Sequence, residues 1–227
     1  MKFKFAFVSK DGSFKMPKEE ILKSENIEAL YFPDNKEALS KVYNRILNDD
    51  KDSDFVLLTH ADVSFDAKSV MSQLESLGGK YDLIGLCGCA RISVGQSPLN
   101  WFCGSIPFPG ERWGCVTHGE LGGHVSFFSA HHPDVMDHEV ACIDGLCIIF
   151  TRKAIDAGLR FDESLSPFDL YDTDISMQAV MNYKMKVGVI VRRELQHWSV
   201  GKSILTQEFI KNEDVFRAKW GFKRRQS

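Results

Sequence analysis

The segment Phe55-Val-Leu-Leu-Thr59, followed at once by His60-Ala-Asp62, constrains the fold more than any other part of the chain. Five mostly apolar residues are too few to cross a membrane, and their β-forming character predicts a strand buried on both faces of a parallel sheet. The run stops at two polar side chains one residue apart. In an extended chain such residues share a face, so His60 and Asp62 are expected to project together from the C-terminal end of a core strand. Open α/β sheets place their ligand sites at that edge. A carboxylate there can hold a hard divalent cation, which in turn holds phosphate oxygens. The structural alternative has Asp62 capping the next helix and His60 satisfied within the core.

The flanking chain supports the sheet. Lys2–Ser9 and Ile27–Phe32 read as two further strands, the second stopped by Pro33-Asp34-Asn35. Between Lys36 and Asn48 the residues Leu39, Val42, Tyr43, Ile46 and Leu47 recur at helical spacing, and a second such pattern runs from Asp66 to Leu77. Tyr81–Cys89, Val140–Phe150 and Met185–Val191 are apolar, strand-like runs, and Ser203–Trp220 is a helix. Strands alternating with helices predict an α/β fold with a mostly parallel sheet flanked by helices. Neither a dinucleotide fingerprint nor a Walker loop is present.

Residues from about Arg91 to Glu139 break this rhythm and predict a long irregular loop excursion rich in aromatic residues and histidine. Trp101 and Trp113 suit stacking on sugars, or else fold the excursion onto the body of the domain. His118, His124, His131, His132 and His138 lack the helical pairing around an acid that marks a zinc hydrolase. A zinc site from Cys87, Cys89, Cys103 and Cys115 has the wrong spacing for a knuckle.

Two acidic positions stand out. Asp144, beside Gly145, interrupts an apolar strand, where an acid is costly unless it is paired or faces a cleft. Tyr171-Asp172-Thr-Asp174 opens a helix; one acid caps it, and three acids within six residues, counting Asp169, call for a second explanation. The net charge of −3 gives no general reason to bind nucleic acid. No apolar run approaches the length of a membrane helix, the N-terminus enters a strand without a signal-peptide pattern, and the cysteines lie in apolar runs; these features predict a cytoplasmic protein.

Taken in order, the strand ends, His60-Ala-Asp62-Val63, Asp144-Gly145, Tyr171-Asp172 and His197 resemble glycosyltransferase family 2 proteins of the GT-A fold. The resemblance is to small bacterial members whose metal motif is His-x-Asp-Val instead of Asp-x-Asp, and it runs from about Phe5 to Trp220. It implies one GT-A-type domain over residues 1–227, with a nucleotide-binding half to about residue 90 and an acceptor half beyond. It implies transfer of a sugar from a nucleoside-diphosphate sugar to a hydroxyl of a glycan, lipid-linked or protein acceptor, with Mn²⁺ or Mg²⁺ on the diphosphate. Asp62 and His197 would hold the metal, and Ser9, Asp34, His60 and Asp62 the donor. Trp101, Asp144, Gly145 and Tyr171 would line the sugar and acceptor pocket. Asp172 would be the general base of an inverting reaction, with Asp174 and Asp169 as alternatives because Tyr171 replaces the usual Glu. His60 replaces the first acid of the common motif, which lowers the charge offered to the metal.

Two other functions compete. A nucleotidyltransferase would need a basic clamp near the first strand, of which Lys10 and Lys15 offer only a weak version. A silent sugar-binding or scaffold domain would keep the fold without chemical reason to keep Asp62, Asp172 and His197 together.

Overall fold

The computed structural model describes residues 1–15, 24–92, 112–119, 125–127, 136–165, 168–192, 194–199 and 206–223. In chain order its elements are β1 (Phe3–Val8), β2 (Ile27–Phe32), α1 (Leu39–Asp49), β3 (Phe55–His60), β4 (Val63–Ser64), α2 (Ala67–Ser76), β5 (Leu83–Gly85) and β6 (Cys87–Cys89). They continue with β7 (Arg112–His118), β8 (Val125–Phe127), β9 (Asp137–Glu139), β10 (Cys142–Ile143) and β11 (Cys147–Thr151). The last are α3 (Arg152–Asp156), α4 (Tyr171–Met181), β12 (Val187–Ile190), β13 (Gln196–His197) and α5 (Gln207–Trp220).

A seven-stranded sheet of order β2-β1-β3-β11-β5-β12-β9 forms the centre. Its five inner strands are buried on both faces, as the apolar runs require, while the edge strands β2 and β9 are only partly covered. Phe3, Phe5 and Phe7 of β1 join Phe55 and Leu57 of β3 on the face covered by Val70 and Leu74 of α2. The alternate residues Ala6, Val8, Val56 and Leu58 face Val42, Tyr43, Ile46 and Leu47 of α1. The 3.6-residue stripe of α1 and the two-residue alternation of the strands thus meet in one core.

The sheet is mixed where a mostly parallel one was expected. β2, β1 and β3 run parallel, as do β5 and β12, but β11 lies antiparallel between β3 and β5, and β9 lies antiparallel to β12. No crossover helix separates β10 from β11, so β11 enters the sheet directly from a neighbouring one and need not share the direction of β3. That second sheet has the order β10-β6-β7-β13-β4, with β8 on β7. Two of the runs expected to be single strands pass between the sheets, one at Leu86 between β5 and β6, the other at Asp144-Gly145-Leu146 between β10 and β11.

The excursion expected to be irregular carries β7, β8 and β9. Gly114 hides this in the sequence, because it breaks the β pattern of Arg112–His118. The structure needs it there: its φ is +123°, and a Cβ would stand 2.4 Å from Cys87 Cβ on the paired strand. The cap of α2 is Asp66, whose side chain accepts from Ser69 N at 3.2 Å, so Asp62 is not spent on capping. Among the described residues no helix is long and apolar enough to cross a membrane.

Candidate active site

His60 ends β3, in register with Val8 of β1, and its backbone N–H donates to Leu146 O at 3.0 Å. Asp62 lies in the turn that follows. The short pairing of β4 with β13 sets Val63 opposite His197, and Trp198 N donates to Asp62 O at 2.9 Å. Asp62 Oδ2 consequently lies 3.5 Å from His197 Nε2. One donor atom each from His60, Asp62 and His197 falls within 4.8 Å of the others, the one such group of three among the described residues. Ser199, which the sequence reading missed, sits on the same face two residues after His197, with its Oγ 2.9 Å from His197 Nε2.

Electrostatics poises this group for a cation. Burial pushes the His60 imidazole down to about 4, against the pull of Asp62. Burial alone would raise the Asp62 carboxyl, but the hydrogen bond and charge of His197, the charge of His60 and the Ser199 hydroxyl hold it at about 2. At neutral pH His60 is therefore neutral and Asp62 ionised, the forms in which each binds metal.

Asp172 lies across the same edge, in the first turn of α4. The helix is entered through Leu170, a non-glycine residue at φ +64° whose side chain is buried against Phe209 and Phe216 of α5. Tyr171 Oη is 2.7 Å from His60 Nε2 and donates to Gly145 O at 3.0 Å. Gly145 N donates to Asp172 Oδ2 at 2.9 Å, and Thr173 N to Asp172 Oδ1 at 2.7 Å. Tyr171 and Asp172 thus hold the two peptide groups that flank Gly145, and Tyr171 links them to His60. Asp144 accepts from Leu146 N at 2.8 Å, an Asx turn that shapes the switch between the sheets. Burial, and then the charge of Asp144, push the Asp172 carboxyl up to about 7 despite its backbone donors; burial raises Asp144 as well.

The remaining expected site residues divide. Ser9 is buried past the end of β1; its Oγ donates to Asp11 Oδ1 at 3.0 Å, and its backbone carbonyl accepts from Asn35 N at 2.7 Å. Asp34 is an exposed turn residue at φ +54° beside Gly12. Both lie at the C-terminal ends of β1 and β2, on the side of the sheet edge next to His60. Lys10 Nζ lies 4.7 Å from the centre of the Phe168 ring, which is itself 5.2 Å from the His60 ring; Lys15 Nζ lies 5.2 Å from the Trp198 ring. Trp101, Cys103, His124, His131 and His132 lie outside the described residues. Trp113 stacks on His138 at 3.6 Å and is buried, so it folds its strand onto the domain.

Asp174, an alternative base, is fully buried and accepts from Gln178 Nε2, Lys219 Nζ and Trp220 Nε1 at 2.7, 2.8 and 2.9 Å. These bonds tie α5 to α4. Asp169 lends its backbone carbonyl to Asn212 of α5 at 3.0 Å.

No protein-family model and no curated protein matches this chain. Solved structures do. The fold is similar to that of S. aureus TarS. The alignment covers 96% of this chain and 39% of the TarS chain, at 11% identity and a TM-score of 0.52. A structure of TarS residues 1–349 aligns over 86% of this chain and 60% of its own, at 12% identity and a TM-score of 0.49. A197 from STIV aligns over 86% of this chain and 83% of its own, at 14% identity and a TM-score of 0.41. The likeness concerns the fold alone and fits a GT-A-like architecture.

Proposed function

We propose that the protein transfers a sugar from a nucleoside-diphosphate sugar to an acceptor hydroxyl, with a divalent cation held by Asp62, His197 and His60 and with Asp172 as general base. The observation that supports this reading is the set of hydrogen bonds linking His60 through Tyr171 and Gly145 to Asp172, which brings the His60–Asp62–His197 group and the Asp172 carboxyl to one sheet edge.

The donor set fits a cation. An ion with bonds of about 2.1 Å has neighbouring ligand atoms roughly 3 Å apart and opposed ones about 4.2 Å apart, so donors within 4.8 Å of one another need only a small inward movement. Two imidazoles with one carboxylate favour Mn²⁺ over Mg²⁺, which prefers oxygen ligands. Such an ion would neutralise the charge that gathers on the departing diphosphate.

The chain's own residues supply the rest. Lys10 and Lys15 bring positive charge to the edge where the phosphates would lie. Asp172 takes the proton of the acceptor hydroxyl, and a carboxyl raised to about 7 is matched to that work near neutral pH. Its two backbone donors, Gly145 N–H and Thr173 N–H, fix the carboxylate plane. Asp144 stands close enough to bias the Asp172 proton, and Ser9 and Asp34 line the side open to the nucleoside. Inversion of the anomeric centre is what the resemblance to glycosyltransferase family 2 implies for such a reaction.

The test is release of nucleoside diphosphate from a panel of nucleotide sugars with Mn²⁺, with Mg²⁺ and with chelator. Turnover of one donor that requires Mn²⁺ and is lost in Asp172→Asn, while that variant still binds the donor, supports the proposal. Undiminished turnover in Asp172→Asn overturns the role of the base; no nucleotide bound by the wild type under any condition overturns the whole reading in favour of a scaffold.

A further inference from the structure

We propose that Tyr171 is a positioning residue that selects the tautomer of His60, leaving Nδ1 as the nitrogen presented to the cation. The inference rests on the metal reading above and extends it to a residue that does not touch the metal.

The proton count decides it. A tyrosine hydroxyl has one hydrogen to give, and a carbonyl oxygen can only accept. Tyr171 Oη lies 3.0 Å from Gly145 O in a buried setting, so its hydrogen must point at that carbonyl, or two oxygen lone pairs would face each other without water. With its hydrogen committed, Tyr171 Oη can only accept from His60 Nε2, 2.7 Å away, and that nitrogen carries the imidazole proton. A neutral imidazole has one N–H, so the lone pair resides on Nδ1. Metal-binding histidines commonly give their second ring N–H to a carboxylate or carbonyl that orients the ring, and here a tyrosine fills that place.

The backbone protects the arrangement. A Cβ on residue 145 would stand 2.2 Å from Tyr171 Oη, so only glycine lets the hydroxyl reach the carbonyl. The ring of Tyr171 packs against Tyr43 and Phe161, with centroids 6.2 and 5.9 Å away, which limits how far the hydroxyl can withdraw from Gly145. Its place at the first residue of α4 also explains why a tyrosine and not a shorter side chain precedes Asp172: the hydroxyl has to cross from the helix start to the end of β3.

Two measurements on the full chain test the inference. In metal-free protein labelled with ¹⁵N-histidine, the two-bond ¹H–¹⁵N pattern of His60, assigned by its absence in His60→Gln, is expected to be that of the Nε2–H tautomer. Finding Nδ1–H there overturns the proposal, whether or not any Tyr171 variant folds. Second, Mn²⁺ affinity, read from the electron paramagnetic resonance signal of the free ion, should fall about 10- to 100-fold in Tyr171→Phe, the cost typical of losing such an outer partner. Tyr171→Glu, which returns an acceptor for Nε2–H, should recover part of that loss. Unchanged Mn²⁺ affinity in Tyr171→Phe overturns the positioning role while leaving the metal reading intact. A wild-type protein that binds no Mn²⁺ overturns the metal reading and this inference with it.

Discussion

Gly145 and Tyr171 approach so closely that no side chain fits between them: a Cβ on Gly145 would lie 2.2 Å from Tyr171 Oη and 2.6 Å from its Cζ. The ring cannot retreat, because Tyr43 and Phe161 lie behind it. Gly145→Ala is therefore expected to destabilise the fold by about 1–3 kcal/mol, as overpacking of a full interior does. It should also lower sugar transfer by about 100-fold, since a shift near 1 Å at the base is enough for that. Urea unfolding and turnover of the same preparation check both; full activity in a folded variant would show that the contact does not position Asp172.

Two titrations are expected to oppose each other in the pH dependence of stability. Asp172 is raised in the folded protein to about 7, so its site keeps a proton that the unfolded chain has released, and stability is lost as pH rises from about 4 to about 7. His60 is lowered to about 4, so the folded protein refuses a proton that the unfolded chain accepts below about 6.5, and stability is lost as pH falls through nearly the same window. Relative to wild type, Asp172→Asn should gain stability as pH rises across that range, and His60→Gln should lose it. Urea midpoints measured through the window test the two signs, and parallel curves for all three proteins would contradict both assignments.

Asp174 and Asp172 are two residues apart and have different work. The buried Asp174 carboxylate anchors Lys219 and Trp220 of α5, so Asp174→Ala should cost about 3 kcal/mol, the usual consequence of breaking a buried, bonded charge. Lys219 is a quarter exposed and can regain water, which places the effect at the lower end of the range. Below its lowered melting temperature the variant should retain most of its transfer activity, unlike Asp172→Asn. Loss of turnover in a folded Asp174→Ala would return it to the list of bases.

Asp62 is expected to be indispensable for cation binding. Mn²⁺ in excess should raise the melting temperature of the wild type, since a ligand held only by the native state stabilises it. Chelator should reverse the rise, and Asp62→Ala should abolish it, because the variant leaves two imidazoles without a carboxylate. An equal rise in Asp62→Ala would place the cation elsewhere.

Much of the site was legible in local sequence. The apolar run that stops at His60 and the one-residue gap to Asp62 announce a strand end with two polar groups on one face. The acids that open α4 and the Asp-Gly pair inside an apolar run mark places where a carboxylate needs a reason to exist. Less legible were the partners. Asp172 and Asp174 look alike in sequence, and only the packing of Trp220 and Lys219 against Asp174 separates an anchor from a base. Ser199 and Phe168 gave too little signal to be named, since serine and phenylalanine are common; Ser199 meets His197 just outside the last strand, and Phe168 meets His60 more than a hundred residues away.

By itself the sequence determined the strands and helices whose apolar pattern is unbroken, β1, β2, β3, β12, α1 and α2 among them, because periodicity and side-chain chemistry act over a few residues. The tertiary structure alone decided that β11 runs antiparallel between β3 and β5, that two strands pass from one sheet to the other, and that Tyr171 reaches from α4 to His60. Strand order and direction depend on which distant segments complete each other's hydrogen bonds and cover each other's apolar faces. That competition is settled over the whole chain, and no single window of sequence contains it.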